Sequence, residues 1–381
     1  MNKLLFLFFL LTSISLSQQQ INEVFIFDGI EREYIVYIPE SYNENIEFPV
    51  LFSFHGGSGY ASDFIETNDM RSIADTANFI AVYPQGAIDP EGGTTSWIHK
   101  APTDHDDIFF IEAIIDSLNL EYTIDQSRIY ACGYSEGAIL SYELGCRLNH
   151  KIAAFAAVSG SMLEDYYRNE IYGWDICSPV HPTGMMLIPG TVDQNPHSIY
   201  EGLSYVDMPL YMSVNDITTF WSNYNNTDFN SIITSIEDSA PNDGSYVERK
   251  RWLNGDNCTS IQELKIIGGD HDWPGSFGNM DINASDEIWN FVSMFNIDGK
   301  IDCPSLSKIT PNKDYIFLNN TEGYLDLSQL YNKKYSIFSI TGNRVLFGST
   351  LSGNTFVDIS SLNSGMYILT IDNKSFKLFK K

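Results

Sequence analysis

Short apolar runs recur along most of the chain and alternate with stretches in which apolar positions return every three or four residues. The short runs are Tyr34–Ile38, Val50–His55, Ile80–Tyr83, Arg128–Cys132, Phe155–Val158, Met185–Ile188 and Leu264–Ile267. Most are continuously apolar, the pattern of parallel strands buried on both faces. Between them Ala61–Asn78, Asp107–Leu120, Ser135–Leu148, Val214–Tyr224 and Ser285–Asn296 carry helical spacing. Strand and helix in alternation from about Ile21 to Ile297 predict one α/β domain over 21–297. Its sheet is doubly wound and mostly parallel, with right-handed crossovers and ligands at the carboxyl ends of the strands.

Both ends of the chain break this rhythm. Lys3, the apolar Leu4–Leu11 and the small-x-small Ser15-Leu16-Ser17 read as an export signal over 1–17, too short to span a bilayer. Asp298–Asn312, with Gly299, Pro304 and Pro311, reads as a linker. Residues 313–381 then show only short alternating runs: Tyr335–Ile340, Arg344–Phe347, Thr355–Ile359, Met366–Ile371 and Ser375–Phe379. With the turn Thr341-Gly342-Asn343, these predict a small all-β sandwich.

Composition narrows the partners. The 381 residues hold 22 basic against 49 acidic side chains, a net charge of −27. Such a surface repels nucleic acid and anionic membranes. No later segment approaches the roughly 18 apolar residues of a membrane span, so the mature protein is expected to be exported and soluble. No calcium-loop motif accompanies the acidity. Of the five cysteines, Cys146 with Cys177 is the expected disulfide and Cys258 with Cys303 a second, leaving Cys132 as a buried thiol in its strand.

The candidate chemistry sits at strand ends. Gly133-Tyr134-Ser135-Glu136-Gly137 lies between a predicted strand and a predicted helix, the context in which G-x-S-x-G makes a nucleophile elbow. A serine nucleophile needs a base, and the base an orienting acid. His271 follows the last predicted strand through Gly268-Gly269-Asp270, and Asp193 follows Met185–Ile188 through Pro189-Gly190-Thr191-Val192. Asp270 and Asp272 adjoin the histidine but point elsewhere, and His197 is expected on the loop or substrate side. The backbone N–H of Glu136 and that of Gly57, in His55-Gly56-Gly57-Ser58-Gly59, are expected to form the oxyanion hole. The Glu136 carboxylate is expected to disfavour anionic substrates. Trp97 and Trp273 are expected as substrate-wall aromatics. The chemistry requires neither metal nor organic cofactor.

The stretches Pro49–Gly59, Val82–Gly86, Trp97, Asp106–Ile111, Arg128–Ala138, Gly190–Asp193 and Gly268–Gly275 together resemble the secreted poly(3-hydroxybutyrate) depolymerase and feruloyl esterase family, close to carbohydrate esterase family 1. The resemblance implies an α/β-hydrolase fold, a triad of Ser135, Asp193 and His271, and hydrolysis of a polymeric ester. The ester would be a polyester or a feruloyl or acetyl group on polysaccharide. Pro189, where the family usually has histidine, and Glu136, where small or amide residues are commoner, depart from its pattern. Ile309–Asn312, Tyr335–Gly342, Val357–Leu362, Ser364–Leu369 and Lys380-Lys381 resemble the C-terminal sorting domain of the type IX secretion system. That implies engagement of the secretion machinery and release or attachment at the cell surface. The competing reading is a catalytically inactive, surface-displayed polysaccharide-binding protein that retains the hydrolase fold.

Overall fold

The structure, a computed structural model, describes residues 19–90, 92–97, 107–205, 208–303, 320–321, 324–327, 333–339, 343–349, 356–371 and 374–380. The expected export signal, Asp106 and residues 304–312 of the expected linker lie outside the described residues. Two compact units meet at Cys303 and Pro304.

The first unit is built on a ten-stranded sheet. In chain order its strands are β1 (Gln19–Phe27), β2 (Ile30–Ile38), β3 (Phe48–Phe54), β4 (Ile80–Pro84), β5 (Ile124–Tyr134), β6 (Ala154–Val158), β7 (Gly184–Ile188), β8 (Ile232–Ser235), β9 (Tyr246–Trp252) and β10 (Ile261–Ile267). Across the sheet they run β1-β2-β4-β3-β5-β6-β7-β10-β9-β8. The six from β4 to β10 pair in parallel. The outer pairs, β1 and β2 on one side and β9 and β8 on the other, are antiparallel. Strands β3, β4, β6 and β7 are buried at every position, as continuous apolar runs require when helices cover both faces.

The helices are α1 (Ala61–Thr67), α2 (Arg71–Ala77), α3 (Asp107–Glu121), α4 (Glu136–Arg147), α5 (Asp165–Tyr172), α6 (Val214–Asn225) and α7 (Ala284–Val292). One predicted helix, Ala61–Asn78, is two. The Asp69 carboxylate accepts the Arg71 N–H at 2.9 Å and starts a new helix there. Asn68, fully buried, instead accepts from the Tyr83 and Ser285 hydroxyls. The predicted helix over Ser285–Asn296 ends early, and Phe295–Asn296 pairs with Gly299–Lys300 in a short hairpin.

Two disulfides join the expected partners, Cys146 to Cys177 and Cys258 to Cys303. Their sequence separations are 31 and 45, for which loop-closure entropy contributes about 4 kcal/mol each. The second ties residues 298–303, expected as the start of the linker, to the first unit. Cys132 is free and buried, with the Ser53 hydroxyl at 3.2 Å. Burial pushes its thiol up to about 12. Native protein is therefore expected to resist iodoacetamide, and denatured protein to take one label per chain, read by intact mass. Labelling of the native fold would contradict this burial.

The second unit has a four-stranded antiparallel sheet, ordered Arg344–Ser349, Lys334–Ser339, Gly365–Ile371, Lys374–Lys380. A smaller sheet of Asn320–Thr321, Tyr324–Asp326 and Phe356–Asp358 completes it, with Leu325, Ile337, Ile359, Leu369 and Leu378 in its core.

Candidate active site

All the candidate groups arise where parallel strands end. Ser135 follows β5 and opens α4, Asp193 follows β7, His271 follows β10, and the His55–Gly59 loop follows β3. These strands lie within a block of five neighbours spaced about 4.8 Å apart. Groups far apart in sequence are thereby gathered on one edge.

Ser135 has φ 55° and ψ −117°, a strained conformation that costs about 1–3 kcal/mol. Its N–H donates to Val158 O at 2.9 Å, and its carbonyl accepts the Ala138 N–H at 3.0 Å, which holds the turn. The hydroxyl makes no capping bond to the helix. It stands at the positive end of α4, where an oxyanion is favoured.

Asp193 and His271 are hydrogen-bonded. His271 Nδ1–H donates to Asp193 Oδ2 at 2.8 Å, which leaves the Nε2 lone pair available to accept a proton. The same Oδ2 accepts the Ser198 hydroxyl at 2.6 Å, and Oδ1 accepts the Asn195 N–H at 2.8 Å. Asp193 is thus both an Asx-turn aspartate and the partner of His271, two roles that sequence reading treats as alternatives. The acid and base loops are stitched together: Val192 N–H donates to Gly269 O at 3.0 Å and Gly268 N–H to Thr191 Oγ1 at 2.9 Å. Tyr134 Oη donates to His271 O at 2.8 Å. Burial first, then the Asp193, Asp272 and Asp270 carboxylates, raise the Tyr134 phenol and keep it a donor.

The Ser135 hydroxyl and His271 Nε2 are not hydrogen-bonded among the described residues, and Nε2 has only the Asn195 amide at 3.5 Å. Such contacts commonly tighten when substrate is bound. Asp272 faces away from the imidazole. Its carboxylate, raised chiefly by burial, accepts the Asn279 and Asp270 N–H groups at 3.3 Å each. His197 Nδ1 meets the Tyr211 hydroxyl at 2.8 Å, on the loop that follows the acid.

His55 orients the oxyanion loop. Its Nδ1–H donates to Gly56 O at 2.7 Å, and its Nε2 accepts the Gly86 N–H at 2.9 Å. Gly59 N–H also donates to Gly56 O, at 3.1 Å. Because the peptide is trans, a carbonyl held on one side aims the Gly57 N–H to the other. A Cβ on Gly57 would lie 2.6 Å from Glu136 Oε2 and closer still to Oε1. The Glu136 side chain therefore packs against this loop, buried, with the Ser96 hydroxyl donating to Oε2 at 3.4 Å. The carboxylate that sequence reading expects to disfavour anionic substrates thus lies against this loop and not in solvent.

Desolvation lowers His55 to about 4. Between about pH 6.5 and 4 the unfolded chain then binds a proton that the folded one refuses, so stability falls as pH drops through that window. The loss is up to about 3 kcal/mol. Denaturant titrations at pH 7 and pH 4 are expected to show that extra loss in wild type and not in His55→Gln. Parallel pH dependences would contradict it.

Trp97 and Trp273 are corrected as substrate-wall residues. They are only 2% and 1% exposed. Trp97 Nε1–H donates to His55 O at 2.8 Å behind the oxyanion loop, and Trp273 packs edge-on to Phe64. The rim aromatics are Tyr134, 4.9 Å ring to ring from His271, and exposed Phe277, 5.8 Å from Tyr134. Sequence reading missed Ser198 and Asn195; their only signal is the spacing Asp193-x-Asn195-x-x-Ser198.

Sheet, elbow and strand order give an α/β-hydrolase fold with a serine, an aspartate and a histidine at the ends of neighbouring parallel strands. The fold matches the acetyl xylan esterase of Aspergillus awamori with a TM-score of 0.50 at 14% identity, over 73% of this chain and 99% of that one. Its homologues include feruloyl and acetylxylan esterases. The chain is 28% identical to a bifunctional acetylxylan esterase/xylanase of Neocallimastix patriciarum over 277 residues, 72% of this chain and 35% of that protein. It is 27% identical to feruloyl esterase B of Piromyces equi over 279 residues, 70% of this chain and 46% of that protein. The chain thus spans less than half the length of these two relatives. Residues 310–381 match the secretion system C-terminal sorting domain, which marks a secreted or cell-surface protein. Among the described residues no helix is long and apolar enough to cross a membrane.

Proposed function

We propose that this protein is an extracellular serine esterase that removes feruloyl or acetyl groups from plant xylan through an acyl-enzyme. The observation that carries the reading is the Asp193–His271 hydrogen bond beside the strained Ser135, on a chain whose homologues are esterases. Ser135 Oγ attacks the ester carbonyl as His271 Nε2 takes its proton. The Gly57 and Glu136 N–H groups receive the oxyanion, and His271 returns the proton to the leaving sugar alkoxide. Water, deprotonated by His271, then releases the acid. Asp193 fixes the tautomer and stabilises the imidazolium. The exposed Phe277 beside Tyr134 offers an apolar face to an aromatic acyl group or a sugar ring. The tail is proposed to engage the type IX secretion machinery.

The test is release of ferulate, acetate and 3-hydroxybutyrate from feruloylated xylan, acetylated xylan and poly(3-hydroxybutyrate) by one preparation. The expected result is ferulate or acetate in preference to 3-hydroxybutyrate. Preferential 3-hydroxybutyrate release would assign the polyester instead. No release above Ser135→Ala from any polymer or from a p-nitrophenyl ester would support the inactive polysaccharide-binding reading.

A further inference from the structure

A second site lies at the opposite end of the sheet. A cavity of about 320 Å³ is lined by Arg249 and Arg251 on β9, Ser260 and Gln262 at the start of β10, Glu287 on α7, and Lys300. Arg249 and Arg251 are two apart on a strand and so share a face. Gln262 stands directly across from Arg251, and it pairs in parallel with Met186 of β7. The catalytic loops leave the other ends of β7 and β10. Along β10, Gln262 and His271 are separated by most of the strand and the loop beyond it, roughly 20 Å at strand rise.

Elsewhere in the first unit each described cation has a side-chain partner: Arg128 bonds the Tyr130 hydroxyl, Arg147 and Lys265 lie over the Trp174 and Tyr200 rings, and the rest meet carboxylates. With 49 acidic side chains available, Arg32, Arg71, Lys151, Arg168 and Lys250 each meet a carboxylate. Arg249 does so too, with Glu287 at 2.6 Å. Arg251 and Lys300 do not. Neither makes an ion pair or side-chain hydrogen bond among the described residues, and the Arg251 and Arg249 Nε atoms are buried without a partner. The side chain of Gln262, a residue only 9% exposed, also makes no hydrogen bond among the described residues. Buried donors without acceptors are costly. Two cations and an amide without carboxylate partners thus line one cavity, whose own carboxylate, Glu287, is paired with Arg249. Phe291 and Met294, which also line it, add an apolar floor suited to the face of a sugar ring.

We propose that this cavity binds the anionic groups of an acidic polysaccharide, a uronate carboxylate or a sulfate ester. The arginine fork and the amide offer the paired donors that such planar or tetrahedral anions accept. Over the whole surface the net charge of −27 repels an acidic polymer. A local cationic pocket is therefore what allows this protein to hold one. The site is independent of Ser135 and would tether the protein to a polymer while another segment reaches the strand-end loops.

The test is calorimetric titration of the full chain with four probes: an oligogalacturonide, a sulfated xylooligosaccharide, the unsubstituted xylooligosaccharide and inorganic sulfate. At least one anionic glycan is expected to bind about tenfold or more tighter than the neutral one and to weaken with salt. Arg251→Gln and Lys300→Gln are each expected to weaken that binding about tenfold. Both variants should keep wild-type hydrolysis of p-nitrophenyl acetate, which also reports that they fold. Which glycan binds identifies carboxylate or sulfate as the source. Equal binding of the neutral oligosaccharide, binding of inorganic sulfate alone, or wild-type affinity in both variants would overturn the proposal.

Discussion

Asp193→Asn is expected to lower kcat on a p-nitrophenyl ester by about 10⁴-fold, with little change in melting temperature. The carboxylate uses both oxygens: Oδ1 accepts the Asn195 N–H, and Oδ2 accepts the Ser198 hydroxyl and His271 Nδ1–H. An asparagine has one acceptor oxygen. If that oxygen stays on Asn195, its NH₂ group faces His271 Nδ1 and drives the proton to Nε2, where the base must have a lone pair. If it flips, the Asx turn is lost. The first arrangement holds the wrong tautomer and the second loses the Asx turn, and both remove the negative charge that stabilises the imidazolium while leaving the apolar packing intact. Activity within about tenfold of wild type would mean that another carboxylate orients the imidazole.

Gly137→Ala is expected to destabilise the protein strongly, by about 4 kcal/mol or more. Its Cβ would lie 2.7 Å from His55 O and closer still to Phe54 O. Those atoms are backbone at the end of β3, so relief requires parting α4 from the strand that supports the oxyanion loop. Gly133 is packed in the same way, with a Cβ there 2.8 Å from Ala138 N. For a domain of this size such a loss lowers the melting temperature by roughly 10 °C. Gly173→Ala is the control. Gly173 has φ 65° but nothing within 4 Å of its would-be Cβ, so only the backbone cost of about 1 kcal/mol applies. Equal melting temperatures for the two variants would contradict the close approach of α4 to β3.

Central strands β3, β4, β6 and β7 were legible because each is buried at every position and nearly continuously apolar, whereas of β5 and β10 only the more apolar later stretches were. The outer strands β1, β8 and β9 were not. In β9 the run Tyr246-Val247-Glu248-Arg249-Lys250-Arg251-Trp252 buries only Val247. Its strand identity comes from pairing with β10, which no local pattern encodes. Strand β8 is exposed at every position for the same reason. The helix expected over 61–78 failed at Asn68, whose amide and carbonyl are claimed by tertiary partners.

At the site, motif spacing placed the candidate residues Ser135, Asp193 and His271 just after β5, β7 and β10, where the structure has them, because the order of the chain through a doubly wound sheet dictates those ends. Side-chain direction was not legible. Trp97 and Trp273 looked like rim residues from their neighbours in sequence, yet each turns inward to close the core beneath a loop. The packing of the Glu136 carboxylate on Gly57 was not legible either. Ser198 and His55 position their neighbours through hydrogen bonds that span loops, and such contacts leave almost no trace in a single sequence.

The central claim is that Ser135 is the activated nucleophile. It is tested most directly by intact-protein and peptide mass after treatment with diethyl p-nitrophenyl phosphate. The account predicts one diethylphosphoryl adduct per chain, on the peptide that carries Ser135, with parallel loss of esterase activity. Ser135→Ala should take no adduct. An unmodified Ser135 in wild type, or an adduct that persists in Ser135→Ala, would contradict it.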